Sequence, residues 1–163
     1  MAVKRILVPV DFSKDSLHAL AYAGDLAKSF GAELRLLHVV DQTYLANAPE
    51  FPVANPKLAK LLEEQWQAAQ AQMIRIGADL GKKRQRVRIL MKGGSPAQVI
   101  VDTARSSAAD LIVMGTHGRT GLAHMLIGSV AERVVRTASC PVLTARHAVS
   151  KKRTLKRTAR QKA

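Results

Sequence analysis

The sequence predicts an α/β protein built on a single open five-stranded parallel sheet with helices on both faces. Three observations lead there. Short runs that are almost wholly apolar recur along the chain, as expected of strands buried on both sides. Longer segments between them carry apolar residues at steps of three and four, the period of a helix. The two kinds of segment alternate, which is the pattern of a parallel sheet with crossover helices. The 163 residues suit one domain of about 100–200, and 47% hydrophobic residues can supply its core.

Arg5 to Val10 reads as the first buried strand, ended by Pro9-Val10-Asp11. Leu17, Leu20, Ala21, Gly24 and Ala27 then place a helix over about Ser16 to Phe30, with Gly31 as its C-terminal stop. Glu33 to Val40 is the second strand, completing a βαβ unit whose crossover should be right-handed. Asp41 to Asn55 holds Pro49, Pro52 and two asparagines with no usable period and reads as a long loop.

From Lys57, Leu58, Leu62, Trp66, Ala69, Met73, Ile76 and Leu80 mark one apolar stripe on a long helix that Gly81 closes. Trp66 sits on that stripe and reads as core. Val87 to Lys92 is the third strand. After Gly93-Gly94, Ser95 is the expected N-cap of a helix with Pro96 at its first position and Gln98 completing a capping box. Val99, Ile100, Thr103 and Ala104 of that helix should face the core. Leu111 to Gly115, Val130 to Thr137 and Pro141 to Ala145 follow as strand, helix and a final strand, with no internal repeat evident.

The apolar run after Lys4-Arg5 reaches only Val10 and meets Asp11 at once, so it does not read as a signal peptide. No run approaches the roughly 18 apolar residues of a transmembrane span. The single cysteine, Cys140, cannot form an internal disulfide and reads as a small buried hydrophobe, consistent with a cytoplasmic protein. The net charge of +14 is uneven, with seven cations and no acid between Lys151 and Ala163. A second cluster, Lys82, Lys83, Arg84, Arg86, Arg88 and Lys92, surrounds the third strand. Such clusters suit polyanions, because each phosphate contact releases condensed counterions. Residues 1–147 are therefore read as the folded domain and 148–163 as a basic, disordered tail, with Lys151–Lys162 available for polyanion contact.

The stretch with most chemistry in it is Asp110 to Val134. Glycines at 115, 118 and 128 punctuate a loop that runs into a helix start at Gly128-Ser129. Such a loop admits a ligand close to the main chain, and the helix offers unpaired N–H groups to an anion, with phosphate the favoured guest. The spacing Gly115-x2-Gly118-x9-Gly128-Ser129 is neither a P-loop nor G-x-G-x-x-G. Together with Pro9-Val10-Asp11 and His38-Val39-Val40-Asp41, it resembles the ATP-binding branch of the universal stress protein A family, over roughly residues 3 to 146.

The resemblance implies a Rossmann-like (adenine nucleotide alpha hydrolase-like) sheet of order 3-2-1-4-5, with its ligand crevice where strands one and four diverge. It further implies that the main chain of Val39 reads the adenine edge, that Pro9, Val10 and Asp11 lie near the nucleoside, and that Met114 and Gly115 lie beneath it. Gly118, Gly128, Ser129 and Val130 would meet the phosphates of ATP, with magnesium carried by the phosphates. His117 and Arg119 lie in the loop, able to approach phosphate or to point to water.

Several of these residues also have readings that need no ligand. Gly115, Gly118 and Gly121 can form a surface loop, Ser129 with Glu132 spells a capping box, and Asp11 or Ser13 can cap the first helix. His38, inside an apolar strand, reads as a structural histidine. His18, His124 and His147 show no metal-ligand spacing, and no transition-metal site is assigned. No catalytic residue is assigned either. The loop supplies a cradle without a lysine or acid to activate water, so the expectation is a nucleotide-dependent switch or sensor with at most weak ATPase activity. The last strand should be an edge, where proteins of the resembled type pair as homodimers. The alternative is a basic scaffold whose tail binds nucleic acid or another acidic partner.

Overall fold

The computed structural model describes residues 2–43, 56–118 and 127–147. Within them the chain runs β1 (Arg5–Pro9), α1 (Lys14–Phe30), β2 (Glu33–Asp41), α2 (Pro56–Lys82), β3 (Val87–Gly94), α3 (Pro96–Ser106), β4 (Leu111–Gly115), α4 (Ser129–Thr137) and β5 (Val142–Ala145). Every pairing is parallel and the strand order is β3-β2-β1-β4-β5. The predicted α/β class, strand number and order are those observed. Most of the expected Asp41–Asn55 loop, together with Arg119, Gly121, His124 and the Lys151–Lys162 tail, lies outside the described residues.

The alternation of side chains along each strand divides the core in two. Ile6, Val8, Leu34, Leu36 and Val113 point to one face, where Ala19, Ala23 and Ala27 of α1 and Met73 of α2 cover them. Leu7, Leu37, Ile112 and Met114 point to the other, against Ile100 and Ala104 of α3 and Val134 of α4. Both faces of the central strands are thus out of water, which is why their sequences are apolar at consecutive positions. Cys140 packs beside the second cluster, where burial, reinforced by the charge of Asp110, pushes its thiol pKa up. Cys140 is half-buried rather than the buried side chain expected.

The amino edge of the sheet is tied by Asp110. Its Oδ2 accepts the N–H groups of Lys4 (2.9 Å) and Arg5 (2.8 Å), and its own N–H donates to Arg5 O. Burial acts to raise its pKa, but those two amides together with the Arg5 side chain outweigh it and hold the carboxyl below its usual range.

Several local expectations are corrected. The buried stripe of α1 runs through Ser16, Ala19, Leu20, Ala23, Gly24 and Ala27, while Leu17 is 43% exposed and Ala21 is exposed. Small residues let the helix axis lie close to the sheet, and the larger Leu17 is turned aside. Gly31 stops α1 as expected, with φ +64°, and the next residue's N–H closes back on Ala27 O. Gly81 does not stop α2. The helix continues to Lys82, and Arg84, at φ +57°, takes the left-handed position that glycine usually fills. Leu80, packed against the first core cluster, carries the helix past Gly81. Trp66 is half-buried rather than core. β3 runs two residues past the expected end at Lys92, with Gly93 and Gly94 paired with Val40 and Asp41. Ser95 is the N-cap of α3 without a side-chain cap bond, and Gln98 reaches forward to Asp102 (3.0 Å), so no capping box forms.

Candidate functional site

β1 pairs with β4 only at Ile6–Leu111 and Leu7–Ile112, whereas β1 and β2 stay in register through Pro9. The chain leaves β1 toward β2 and leaves β4 toward β5, in opposite directions across this gap, and in open parallel sheets ligands bind beyond the carboxyl ends of such a pair. A cavity of about 550 Å³ opens there. Its walls include Pro9, Val10, Asp11, Val39, Met114, Gly115, Gly118, Gly128, Ser129 and Val130. Residues far apart in the chain, singled out by motif, are thereby brought together around one space.

His117 is not in that wall. Its Nδ1 lies 3.3 Å from Asp15 Oδ2 and 3.0 Å from Thr116 Oγ1, and its N–H donates to the same carboxylate. Asp15 also accepts from the Thr116 hydroxyl (3.0 Å) and from the His147 N–H (3.2 Å), so one carboxylate at the start of α1 joins the ends of β4 and β5. Burial acts to raise the pKa of Asp15, but the bonds from Thr116, His147 and His117 together hold it below its usual range. His147 continues this edge, its ring 5.4 Å from that of His18.

The glycines earn their places through space rather than dihedral freedom, since the positive-φ glycines among the described residues are Gly31 and Gly94. A Cβ on Gly115 would lie 2.8 Å from the carbonyl carbon of Asp15 and 2.9 Å from Ser16 N, inside the first turn of α1. One on Gly128 would press on Thr116 O at 3.2 Å, the oxygen that accepts the Gly128 N–H.

Gly128, not Ser129, is the N-cap of α4, and Ser129 makes no cap hydrogen bond. Glu132 is instead 3.8 Å from Arg136, so the Ser129–Glu132 capping box is not formed. The first intrahelical bond is Glu132 N–H to Gly128 O. The amides of Ser129, Val130 and Ala131, all in the cavity wall, precede it and carry the positive end of the helix dipole.

On the β1 side, Ser13 caps α1 by accepting the Ser16 N–H (3.1 Å), and Asp11 Oδ1 accepts the Ser13 N–H (3.0 Å). Asp11 therefore braces the cap while its carboxylate borders the cavity. His38 is buried, its Nδ1 donating to Val10 O at 2.6 Å and its ring stacked on Phe12 at 4.6 Å, the structural role expected of it. Sequence reasoning missed the opposite wall. Gln65, Ala68 and Gln72 of α2 also line the cavity. Their i, i+3, i+7 spacing marks one helical face, but only the placement of α2 over the strand ends shows that the face meets a cavity.

Together these features define an open parallel α/β domain with a preformed crevice at its strand switch point and a helix amino terminus in the crevice wall. The chain belongs to the universal stress protein family, whose model matches residues 2–146. It is 41% identical over 140 residues to a universal stress protein of Methanocaldococcus jannaschii, covering 86% of this chain and 80% of that protein. Its fold is similar to that of the universal stress protein UspA from Lactobacillus plantarum, with a TM-score of 0.80, 29% identity and coverage of 90% and 99% of the two chains. A universal stress protein solved in complex with cAMP is also similar, at TM-score 0.58 and 25% identity, with coverage of 90% and 98%. Among the described residues, no helix is long and apolar enough to cross a membrane.

Proposed function

We propose that this chain is an ATP-binding universal stress protein, a nucleotide-dependent switch or sensor in the stress response with at most slow hydrolysis. The observation that carries the reading is the group of amides at Ser129, Val130 and Ala131, ahead of the first intrahelical bond and in the cavity wall with Gly118. Helix amino termini of this kind bind phosphate, and the volume of about 550 Å³ lies within the 300–1,000 Å³ of small-molecule sites. The relative in complex with cAMP supports an adenine nucleotide as the class of ligand.

In this reading the main chain at Val39 takes the adenine edge. Asp11 lies beside the nucleoside, and the start of α4 holds the phosphates. Magnesium arrives with the phosphates, as it usually does, keeping several waters and one or two carboxylates. Asp11 is the carboxylate in the wall beside Gly118. Among the described residues, His117 is engaged with Asp15 and stands outside the cavity wall, and the Nδ1 of His38 in that wall is bonded to Val10 O, in keeping with slow turnover. Arg119, outside the described residues, is proposed as a further phosphate contact on the strength of its place in the loop sequence.

The working form we propose is a cytoplasmic homodimer joined through the β5 edge (Pro141–Ala145). Its domain spans residues 1–147, followed in sequence by the basic segment 148–163. The test is calorimetric titration of nucleotide-stripped protein with ATP, ADP and AMP plus magnesium. Saturable binding of ATP supports the reading, and its absence from folded protein overturns it.

A further inference from the structure

The amino end of the sheet carries a second cleft, of about 780 Å³, about 17 Å from the first as judged by the five-residue length of β1. Lys4, Arg5, Arg35 and Arg86 line it against one carboxylate, Glu33. Two of the guanidinium groups are anchored by the fold. Arg35 Nε donates to Glu33 Oε1 (2.7 Å) and its Nη1 to Ser107 O, while Arg86 Nη2 donates to Gly31 O (2.6 Å). With five N–H donors on each guanidinium, both keep donors to spare.

Arg5 is ion-paired at long range with Asp110. Its Nε is shielded from water without a hydrogen-bond partner, 3.6 Å from an Asp110 oxygen that already accepts two amides. Of the basic cluster noted in the sequence, Arg86 lines this cleft, while Lys83 lines a separate recess between α1 and α2. Phe30, also in the lining, is 52% exposed.

Cations around an exposed aromatic ring suit a ligand with phosphates along a backbone and free base faces, which is how single strands are held without sequence preference. A duplex hides its base faces inside the stack. A bilayer surface is flat, and docking on it asks for a broad apolar face, whereas these cations line a recess with a single large exposed apolar side chain. The recess also exceeds what one phosphate would fill. We propose that this cleft binds single-stranded nucleic acid, its phosphates on Lys4, Arg5, Arg35 and Arg86 and a base stacked on Phe30. The site is separate from the nucleotide cavity and stands whether or not ATP binds there.

The test is fluorescence anisotropy of the full chain with fluorescein-labelled oligothymidine and oligouridine, titrated between about 50 and 200 mM salt. The variants are Phe30→Ala, Lys4→Gln, and Lys4→Gln with Arg86→Gln. Phe30→Ala should weaken binding about tenfold with an unchanged salt slope, the signature of lost stacking. The double variant should lower the salt slope by about 1.4, at about 0.7 per phosphate contact on a single strand. Lys4 serves the fold through its main chain, so Lys4→Gln alone keeps the test valid if the double variant unfolds. Wild-type affinity and slope in every variant would assign all binding to the Lys151–Lys162 tail and overturn the proposal. So would no oligonucleotide binding by the wild type, or preference for phosphatidylserine vesicles that the same variants abolish.

Discussion

The carboxylate of Asp11 and the α-carbon of Gly118 face each other so closely that a Cβ on Gly118 would sit 2.8 Å from Asp11 Oδ2. The two residues are more than a hundred positions apart, and their meeting closes one corner of the cavity at the β1–β4 switch. The atom in the way is the end of a flexible side chain, so Gly118→Ala can be accommodated by swinging the carboxylate aside. The predicted outcome is a melting temperature close to wild type with ATP affinity at least tenfold weaker, about 1.4 kcal/mol. Calorimetric titration beside a thermal melt checks it. Undiminished ATP affinity would show that this corner does not meet the nucleotide.

Gly115→Ala should behave differently, because the obstacle is main chain. Its Cβ would press on the Asp15 carbonyl carbon and on Ser16 N, which cannot rotate away. Overpacking of this kind costs about 1–3 kcal/mol. Gly24→Ala is the matched control, since nothing lies within 4 Å of its Cβ and it is inside α1. There the gain in helix propensity should stabilise by up to about 1 kcal/mol. Urea unfolding should move the two midpoints in opposite directions with similar slopes. Shifts of the same sign would refute the packing argument.

How much of this was legible in the sequence depends on how far apart the interacting parts are. Runs such as Ile6-Leu7-Val8 disclose a strand buried on both faces, because each residue must satisfy a neighbour on its own side. The order of Pro9-Val10-Asp11, Val39 and the glycine loop was enough to gather one wall of the cavity, since strand ends in a parallel sheet share one edge. The wall from α2 was not legible. Gln65 and Gln72 look like solvated helix positions until the rotation of α2 over the sheet is known. His117 has the same difficulty, because its partner Asp15 belongs to the first turn of a helix a hundred residues away. At Arg84 local preference was overruled, for a glycine three residues earlier offered an easier stop.

Asp15 makes stability depend on pH. Its folded pKa is lowered, so the stabilisation it contributes is fully present above the unfolded value near 4 and is lost as pH falls through the folded value. Asp15→Asn keeps the shape and removes the charge. The variant should be less stable than wild type at neutral pH, and the gap should narrow steadily below about pH 4. Unfolding free energies measured by denaturant titration across that range check it. Parallel curves would mean that the Thr116, His117 and His147 bonds do not favour the charged form.

Ser129→Ala separates the two roles that the serine could hold. Loss of a helix cap costs about 1 kcal/mol, but Gly128 occupies the cap position and Ser129 makes no cap bond. The substitution should therefore leave stability within about 0.5 kcal/mol of wild type, as for a surface change. A hydroxyl donating to a phosphate oxygen is worth about 1.5–3 kcal/mol as a hydrogen bond to a charged group, so ATP affinity should fall roughly 10- to 100-fold. Paired melts and titrations of one preparation give both numbers. A destabilised variant that still binds ATP would return Ser129 to the capping role and leave the amides of Ser129, Val130 and Ala131 to hold the phosphates alone.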